Sequence, residues 1–322
     1  MRYFFLGWIA QYERTMIANL SLRYNTEIIT TPKKIKRLNR YVSGINKLLH
    51  TNLISDDWLA RKLWQPHNVT DRDIVICNDW QFKRSFQPTI IKNFSGKKVL
   101  LVRNLVDPQF MRSIEGVFDK VYSFDKLQCE AFGMDYLHQF FPYGVDDAAR
   151  LYSQIAVPGN AAKCFFLGRD KGRTAAIESI AQKLRDVNCV VDFHIVKDND
   201  TQGVSEYHID EGLSYDENIE KSINSSILAD INKEGQTGIT LRVLEAIFFN
   251  KKLITSNSEI KSQDFYRPEN IFVIGQDNLD DLEKFINTES VAIPREILHQ
   301  YSPDYMLEKI TADVNGASPA HT

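Results

Sequence analysis

The sequence predicts an α/β protein built from two doubly wound, parallel-sheet domains. Three observations predict it. Short runs rich in Val, Ile and Phe recur along the chain, amphipathic stretches fall between them, and a segment bearing Pro and Gly near the middle divides the series. Strands alternating with helices make parallel βαβ units. At 322 residues, 43% of them hydrophobic, the chain can give each of two domains its own core.

In the first half the strand candidates are "YFFLG" (3–7), "EIIT" (27–30), "DIVIC" (73–77), "KVLLV" (98–102) and "KVYSF" (120–124). The second half repeats the pattern with "KCFFLG" (163–168), "VVDFHIV" (190–196), "SILADI" (226–231), "KLITS" (252–256) and "NIFVI" (270–274). Helical periodicity marks "TAAIESIAQKLRDV" (174–187), "NLDDLEKFIN" (278–287) and a closing helix in "PDYMLEKITADV" (303–314). Between the halves, the stretch 141–163 carries Pro142, Gly144, Pro158 and Gly159 and is the linker candidate. The expected division is residues 1–150, residues 160–295, and a C-terminal helix and tail over 296–322. The polar end of that tail is expected to fray.

Four scattered cysteines, Cys77, Cys129, Cys164 and Cys189, form no CxxC pair and no metal-ligand spacing, which fits reduced thiols in the cytoplasm. The opening "MRYFFLGWIA" runs into "QYER" without a small-residue cleavage site, so it is expected to be a first core strand rather than a signal peptide. No stretch approaches the roughly 20 apolar residues that span a bilayer. Net charge is −3, but it is unevenly placed: residues 1–150 hold 22 Lys and Arg against 15 Asp and Glu, and residues 151–322 hold 17 against 27. The halves are expected to meet different partners.

Ligands of open α/β sheets bind beyond the carboxyl ends of the strands, and two such domains joined by a linker are expected to face each other across one cleft. The first loop of the second domain, "LGRDKGRTAA" (167–176), fits a diphosphate cradle. Gly168 and Gly172 let backbone approach a ligand, Arg169, Lys171 and Arg173 supply charge, and a helix starting near Thr174 adds amide donors. A solvated basic turn with Thr174 as its cap fits equally.

A second device follows in "EGQTGITLRVLEAIFFNKKLITSN" (234–257). Gln236, Thr237 and Gly238 form a turn, and a helix beginning near Gly238 or Thr240 would present N–H groups to an anion. Arg242 and Glu245, at i and i+3, share one face. Arginine suits a phosphate, and a carboxylate takes vicinal hydroxyls such as those of ribose, so the pair reads as a nucleotide site. The alternative is a surface ion pair, but the apolar run around Glu245 predicts burial, where an unmatched carboxylate is costly.

The segment "GITLRVLEAIFFNKKLITSN" resembles the donor-site segment of GT-B glycosyltransferases, above all the bacterial lipopolysaccharide and capsule branch with the pattern G-L-T-x-R-x-x-E-A-L-x-x-G-K-K-L-I-T. Gly238, Thr240, Arg242, Glu245, Ala246, Lys251, Lys252, Leu253, Ile254 and Thr255 match it in order. "FFLGRDKGR" (165–173), "LSYDENIEKS" (213–222), "ILADI" (227–231) and "DFYRPENIFVIG" (264–275) match further segments, so the resemblance covers most of 163–276. It is thinner in "KVYSFDKLQCEAFGM" (120–134) and "FPYGVD" (141–146). It implies the GT-B fold, two Rossmann-like doubly wound domains facing across a cleft, and transfer of a hexosyl-type sugar from a nucleotide-diphosphate sugar to a glycan or lipid-linked acceptor. By position, Glu245 would hold the ribose, Gly238, Thr240, Arg242, Gly168 and Arg173 would face the diphosphate, and Tyr215 lies where the base is often held.

The chain also departs from the pattern. Related retaining enzymes space two glutamates eight positions apart, whereas Glu234 and Glu245 stand eleven apart, so Glu234 receives no role. Asn250 replaces a glycine after the helix, which a left-handed cap tolerates. An inverting transfer needs a base on the acceptor domain. Asp79 in "CNDW" and Asp107 in "VRNLVDPQ" are the candidates. Arg103 and Asn104 stand where relatives often have Trp–Asp or Trp–Asn, which makes them acceptor-binding candidates and favours Asp107 just beyond. The rival role for Asp107 is a turn aspartate before Pro108.

His194, inside an apolar strand, is expected to be a core histidine, and "DNDTQG" (198–203) a surface loop rather than a DxD site. Enzymes of this architecture hold diphosphate with helix dipoles and basic side chains, so no essential metal or other cofactor is expected. The stretch 32–50 holds five Lys and Arg between 33 and 40, with Ile35, Leu38, Tyr41, Val42 and Ile45 at near-helical spacing. Such a helix can rest on an anionic membrane, at the inner face of the plasma membrane, or be a solvated charged face. Overall acidity and the lack of a recognition module argue against nucleic acid. The rival activities are a nucleotide-sugar epimerase and a non-catalytic nucleotide- or sugar-binding module. Neither half shows the glycine fingerprint of a dehydrogenase after its first strand.

Overall fold

Alternate side chains of the first strand, β1 (Tyr3–Leu6), enter different cores: Phe4 and Leu6 join one apolar cluster, Tyr3 and Phe5 another. A strand covered on both faces is apolar throughout rather than alternating, which is why this run is so plain in the sequence. The computed structural model describes residues 1–49, 55–82, 86–157, 161–232 and 238–316. Gln236, Thr237, Pro158 and Gly159 lie outside the described residues.

After β1 come α1 (Gln11–Leu20), β2 (Thr26–Ile29), α2 (Lys33–Leu48), α3 (Asp57–Trp64), β3 (Ile74–Asn78), the short α4 (Asp79–Phe82), α5 (Gln87–Lys92), β4 (Lys97–Val102), α6 (Pro108–Ile114), β5 (Lys120–Ser123), α7 (Lys126–Phe132) and β6 (Asp135–Tyr136). The strands form a parallel six-stranded sheet in the order β2-β1-β3-β4-β5-β6. The order reverses direction at β1, which lies between β2 and β3, with Leu6 in register with both Ile29 and Cys77.

The second series is α8 (Val145–Ile155), β7 (Lys163–Arg169), α9 (Thr174–Asp186), β8 (Val190–Val196), β9 (His208–Ile209), α10 (Tyr215–Ile223), β10 (Ile227–Asp230), α11 (Leu241–Phe248), β11 (Lys252–Thr255), β12 (Ile271–Val273), α12 (Leu282–Asn287) and α13 (Arg295–Gln300), followed by α14 (Pro303–Val314). Its parallel sheet runs β12-β11-β10-β7-β8-β9, the doubly wound order with its switch between β7 and β10. The class expected from sequence, two parallel α/β domains with flanking helices, is the class observed.

Contacts divide the chain into one unit of Met1–Pro142 with Asp304–Thr322, and a second of Tyr143–Pro303. Two boundaries differ from those drawn on sequence. The stretch 141–163 contains α8, whose first turn carries Asp146 and Asp147 at the positive end of the helix and which packs on α10, α11 and α13. The closing helix returns to the first unit: Met306, Leu307 and Ile310 are buried in the cluster of Tyr3, Phe5 and Trp8, and Tyr122 Oη donates to Asp313 Oδ2 at 2.7 Å. Its apolar face is satisfied there, so it forms no separate C-terminal element.

Candidate functional site

In the first unit, the polar ends of β1, β3 and β4 meet at the point where strand order reverses. A cavity of about 560 Å³ opens there, lined by Gly7 beyond β1, Asn78 and Asp79 at the end of β3, Arg103 and Asn104 beyond β4, and side chains of α1. Asp79 is only 1% exposed. Its Oδ1 accepts the backbone N–H of Arg103 at 2.8 Å and its Oδ2 accepts the Asn104 amide, also at 2.8 Å. Asp79, one of the two base candidates, and the two expected acceptor-binding residues therefore form one linked group.

Arg103 extends from this group into an aromatic setting. Its guanidinium carbon lies 5.7 Å from the Trp8 ring, 5.5 Å from Tyr12 and 5.2 Å from Phe140. Its nearest anion is Glu13, with Nη1 3.6 Å from Oε1. Glu13 is buried, and its other oxygen accepts the backbone N–H of Ala10 at 2.9 Å, closing the start of α1. Glu13 and Trp80 both line the cavity, and sequence reasoning missed both. Glu13 sits in an ordinary amphipathic run, and only the fold turns it toward Arg103.

Asp107 is placed differently. Its Oδ1 accepts the Phe110 N–H at 2.8 Å as the N-cap of α6, and it does not line the cavity. Asp107 thus takes the turn role that the sequence offered as its rival, where a side chain before Pro at the first helical position caps the helix, and of the two base candidates Asp79 is the one at the cavity.

In the second unit, the switch point lies between the ends of β7 and β10. Arg173 spans it, its guanidinium donating to the carbonyls of Arg169 and Ile231, with Nε to the Asp170 carbonyl at 3.1 Å. Burial lowers its pKa, against the pull of Asp230, Asp170 and Asp198. A Cβ on Gly168 would lie 3.0 Å from the Phe166 ring and 3.4 Å from Arg173 Nη2, so glycine makes room for this crossing. Lys171 and Gly172 both take left-handed backbone in the turn, and Arg169 and Lys171 are exposed. The helix cap at this loop falls at Arg173, not Thr174.

Thr240 caps α11, its hydroxyl accepting Val243 N–H at 3.4 Å and donating to Asp230 Oδ1 at 2.9 Å. Asp230 ends β10 and also takes the Thr255 hydroxyl at 3.3 Å. Burial raises its carboxyl above the ordinary range, opposed by Thr240, Arg242, Thr255 and Arg173. Sequence reasoning gave Asp230 no role. Gly238, two residues before the cap, is half-buried, and Tyr215 opens α10 directly after its Ser214 cap.

Arg242 and Glu245 are brought together, but toward one another. Glu245 is 2% exposed. Its Oε1 accepts the Asn218 amide at 2.9 Å, and its Oε2 accepts the Ser222 hydroxyl at 2.8 Å and Arg242 Nη1. Arg242 also donates to Ser222 Oγ at 2.7 Å and Asn218 Oδ1 at 2.8 Å, and lies 4.7 Å from the Phe165 ring. The expected division, arginine to diphosphate and glutamate to ribose, is not what these contacts serve: they join α10 to α11. Asn218 and Ser222 could not have been found from the sequence pattern, because they meet the pair only through the packing of two helices. Tyr143 lies nearby, its phenol pushed up to about 12 by burial and then by Asp216 and Glu245.

Among the described residues no group of three or more His, Cys, Asp or Glu side chains converges to hold a metal ion. His194 is half-buried and pairs with Asp192 at 2.7 Å, so it belongs to a polar network rather than to the core.

Solved structures of similar fold include glycosyltransferases. AviGT4, a glycosyltransferase involved in avilamycin A biosynthesis, matches with a TM-score of 0.55 over 98% of this chain and 99% of its own, at 10% identity. The pneumococcal O-GlcNAc transferase GtfA, solved with UDP and GlcNAc, matches with a TM-score of 0.50 over 80% of this chain and 59% of its own, at 12% identity. A chain of the glycosylation-associated Gap123 complex from Streptococcus agalactiae matches with a TM-score of 0.44 over 81% of this chain and 56% of its own, at 17% identity. The chain thus spans less than two thirds of the length of the latter two. It matches no protein-family model and no curated protein. At these identities the likeness is one of fold, and that fold is GT-B.

Proposed function

We propose that the chain is a glycosyltransferase that moves a sugar from a nucleotide-diphosphate sugar to a glycan or lipid-linked acceptor in bacterial surface-polysaccharide assembly. The observation that carries the reading is that, in each unit of a GT-B fold, the polar side chains gather where strand order reverses, the place where α/β sheets bind ligands. The first unit takes the acceptor, in the cavity around Asp79, Arg103 and Asn104. The second takes the donor, its diphosphate against the backbone of Gly168, the exposed Arg169 and Lys171, and the N–H groups of α11 beyond Gly238 and Thr240. The Arg242–Glu245 pair holds α11 in place for this. The donor is held without an essential metal.

Contact with an anionic membrane at the cytoplasmic face belongs to the same reading, and α2 supports it. Ile35 and Asn39 are buried, whereas Leu38, Tyr41, Ile45 and Leu48 form a second stripe that stays exposed, Leu48 by 80%. The helix carries no acidic residue, and Lys33, Lys34, Lys36, Arg37, Arg40 and Lys47 are all exposed. An apolar stripe beside a basic one suits an anionic interface. Among the described residues no helix is long and apolar enough to cross a membrane.

The test is incubation with UDP-, GDP- and dTDP-sugars, with and without magnesium, in the presence of lipid and glycan extracts. The expected result is release of nucleoside diphosphate from one donor class, with the sugar covalently joined to an acceptor. Interconversion of the donor sugar without release would mark an epimerase, and binding without either change a non-catalytic module.

A further inference from the structure

The cavity of the first unit is lined by three charged side chains, and they are not equivalent. Asp79 spends its oxygens on the backbone N–H of Arg103 and the side-chain amide of Asn104. Arg103 is stacked among Trp8, Tyr12 and Phe140, faces Glu13, and donates at long range to Tyr12 Oη at 3.5 Å and Gln139 Oε1 at 3.4 Å. Among the described residues, Glu13 Oε1 has only long contacts, 3.5 Å to Tyr12 Oη and 3.6 Å to Arg103 Nη1. Two carboxylates against one guanidinium leave the cavity lining net negative, and Glu13 Oε1 is an acceptor of hydrogen bonds with capacity left. A carboxylate calls for hydroxyl donors and repels a second anion, most strongly where water is scarce.

Trp80 supplies the second element. It is 62% exposed although it lines the cavity, a poor place for an indole unless something covers it. The apolar face of a pyranose ring is a suitable cover, with its hydroxyls left at the edge to reach polar groups.

From these two features, and resting on the acceptor reading of this cavity, we propose that it selects a neutral, hydroxyl-rich sugar, stacked on Trp80 with a hydroxyl donated to Glu13 Oε1, and rejects uronates and sugar phosphates. Glu13 is a specificity-determining residue in this scheme. Because its Oε2 also closes α1, Glu13→Gln is the variant of choice: the amide oxygen can still accept from Ala10 while the charge is gone.

The experiment is a tryptophan-fluorescence titration of the full chain with methyl glycosides of glucose, galactose, mannose and N-acetylglucosamine, and with glucuronate, galacturonate and glucose 6-phosphate. At least one neutral glycoside is expected to give a saturable change, and each acidic sugar to bind at least about tenfold more weakly. Trp80→Ala is expected to abolish the change and, by calorimetry, to weaken the neutral sugar about tenfold. Glu13→Gln should weaken the neutral sugar and erase the discrimination against uronates. The proposal is overturned if acidic sugars bind as well as neutral ones, if no sugar in the panel binds, or if both variants bind like wild type. Nucleotide titrations run beside these separate the two readings: nucleotide binding without sugar binding removes this subsite alone, and sugar binding without nucleotide binding removes the transferase.

Discussion

Asn218 on α10 donates its side-chain amide to Oε1 of Glu245 on α11 at 2.9 Å, and its carbonyl takes Arg242 Nη2 at 2.8 Å. With Ser222 the four side chains form a closed, buried group in which each charge has its partner. Breaking such a pair from one side leaves an uncompensated charge, so Glu245→Gln should cost about 3–5 kcal/mol in urea unfolding. Nucleotide affinity of the folded variant should stay within about threefold, less than the worth of one charged hydrogen bond. A large loss of affinity at unchanged stability would instead give Glu245 to the ribose.

Asp79 and Asp107 are separated by what their oxygens do. Asp79→Ala leaves the Arg103 N–H and the Asn104 amide without their acceptor, a cost of about 1–3 kcal/mol, and should sharply lower acceptor-dependent turnover while nucleotide affinity holds. Asp107→Ala removes a helix cap, costing about 0.5–2 kcal/mol, and should leave turnover per folded molecule unchanged. Denaturation and initial-rate measurements on both variants check this, and the reverse pattern would make Asp107 the base.

Membrane docking through α2 predicts co-sedimentation with vesicles containing anionic lipid, weakening as salt rises. Leu38→Ser with Ile45→Ser should reduce binding at low salt, because the exposed apolar stripe is removed. No binding to anionic vesicles at low salt would leave α2 a solvated charged face.

Lys251 gives a pH dependence of defined sign. Burial lowers its pKa from 10.5 to about 8, and its Nζ stands 4.9 Å from the Tyr152 ring. Between pH 8 and 10.5 the unfolded chain keeps a proton that the folded chain has released, so this residue makes stability rise with pH across that window. Below about 8 the cost of charging it in place is fully present. Lys251→Met should flatten that rise relative to wild type and be the more stable of the two at pH 7. Denaturant midpoints at several pH values decide it.

Legibility followed burial. Strands such as β3 and β10, covered on both faces, are plain in the sequence, whereas β6 and β9, two residues each at sheet edges, carry no run to read. The 278–287 stretch divides into a 3-10 turn at Leu279–Asp281 and α12, because Asn278 accepts the Asp280 N–H and starts a tighter turn. Asn250 does take the left-handed backbone expected of a cap, with φ of 49°. In the candidate sites, spacing pointed to the Arg242–Glu245 pair, a strand end to Asp79, and the family resemblance to Arg103 and Asn104. Glu13, Asn218, Ser222 and Asp230 acquire their partners only through tertiary packing, which no local pattern carries.

The central claim, that the second unit holds a nucleotide-diphosphate sugar, is tested most directly by calorimetric titration with UDP, GDP, dTDP, CMP, NAD and S-adenosylmethionine, first without metal and then with magnesium. The account predicts micromolar binding of one nucleoside diphosphate, with or without the metal. Binding of NAD or S-adenosylmethionine alone, or of none of them, would contradict it.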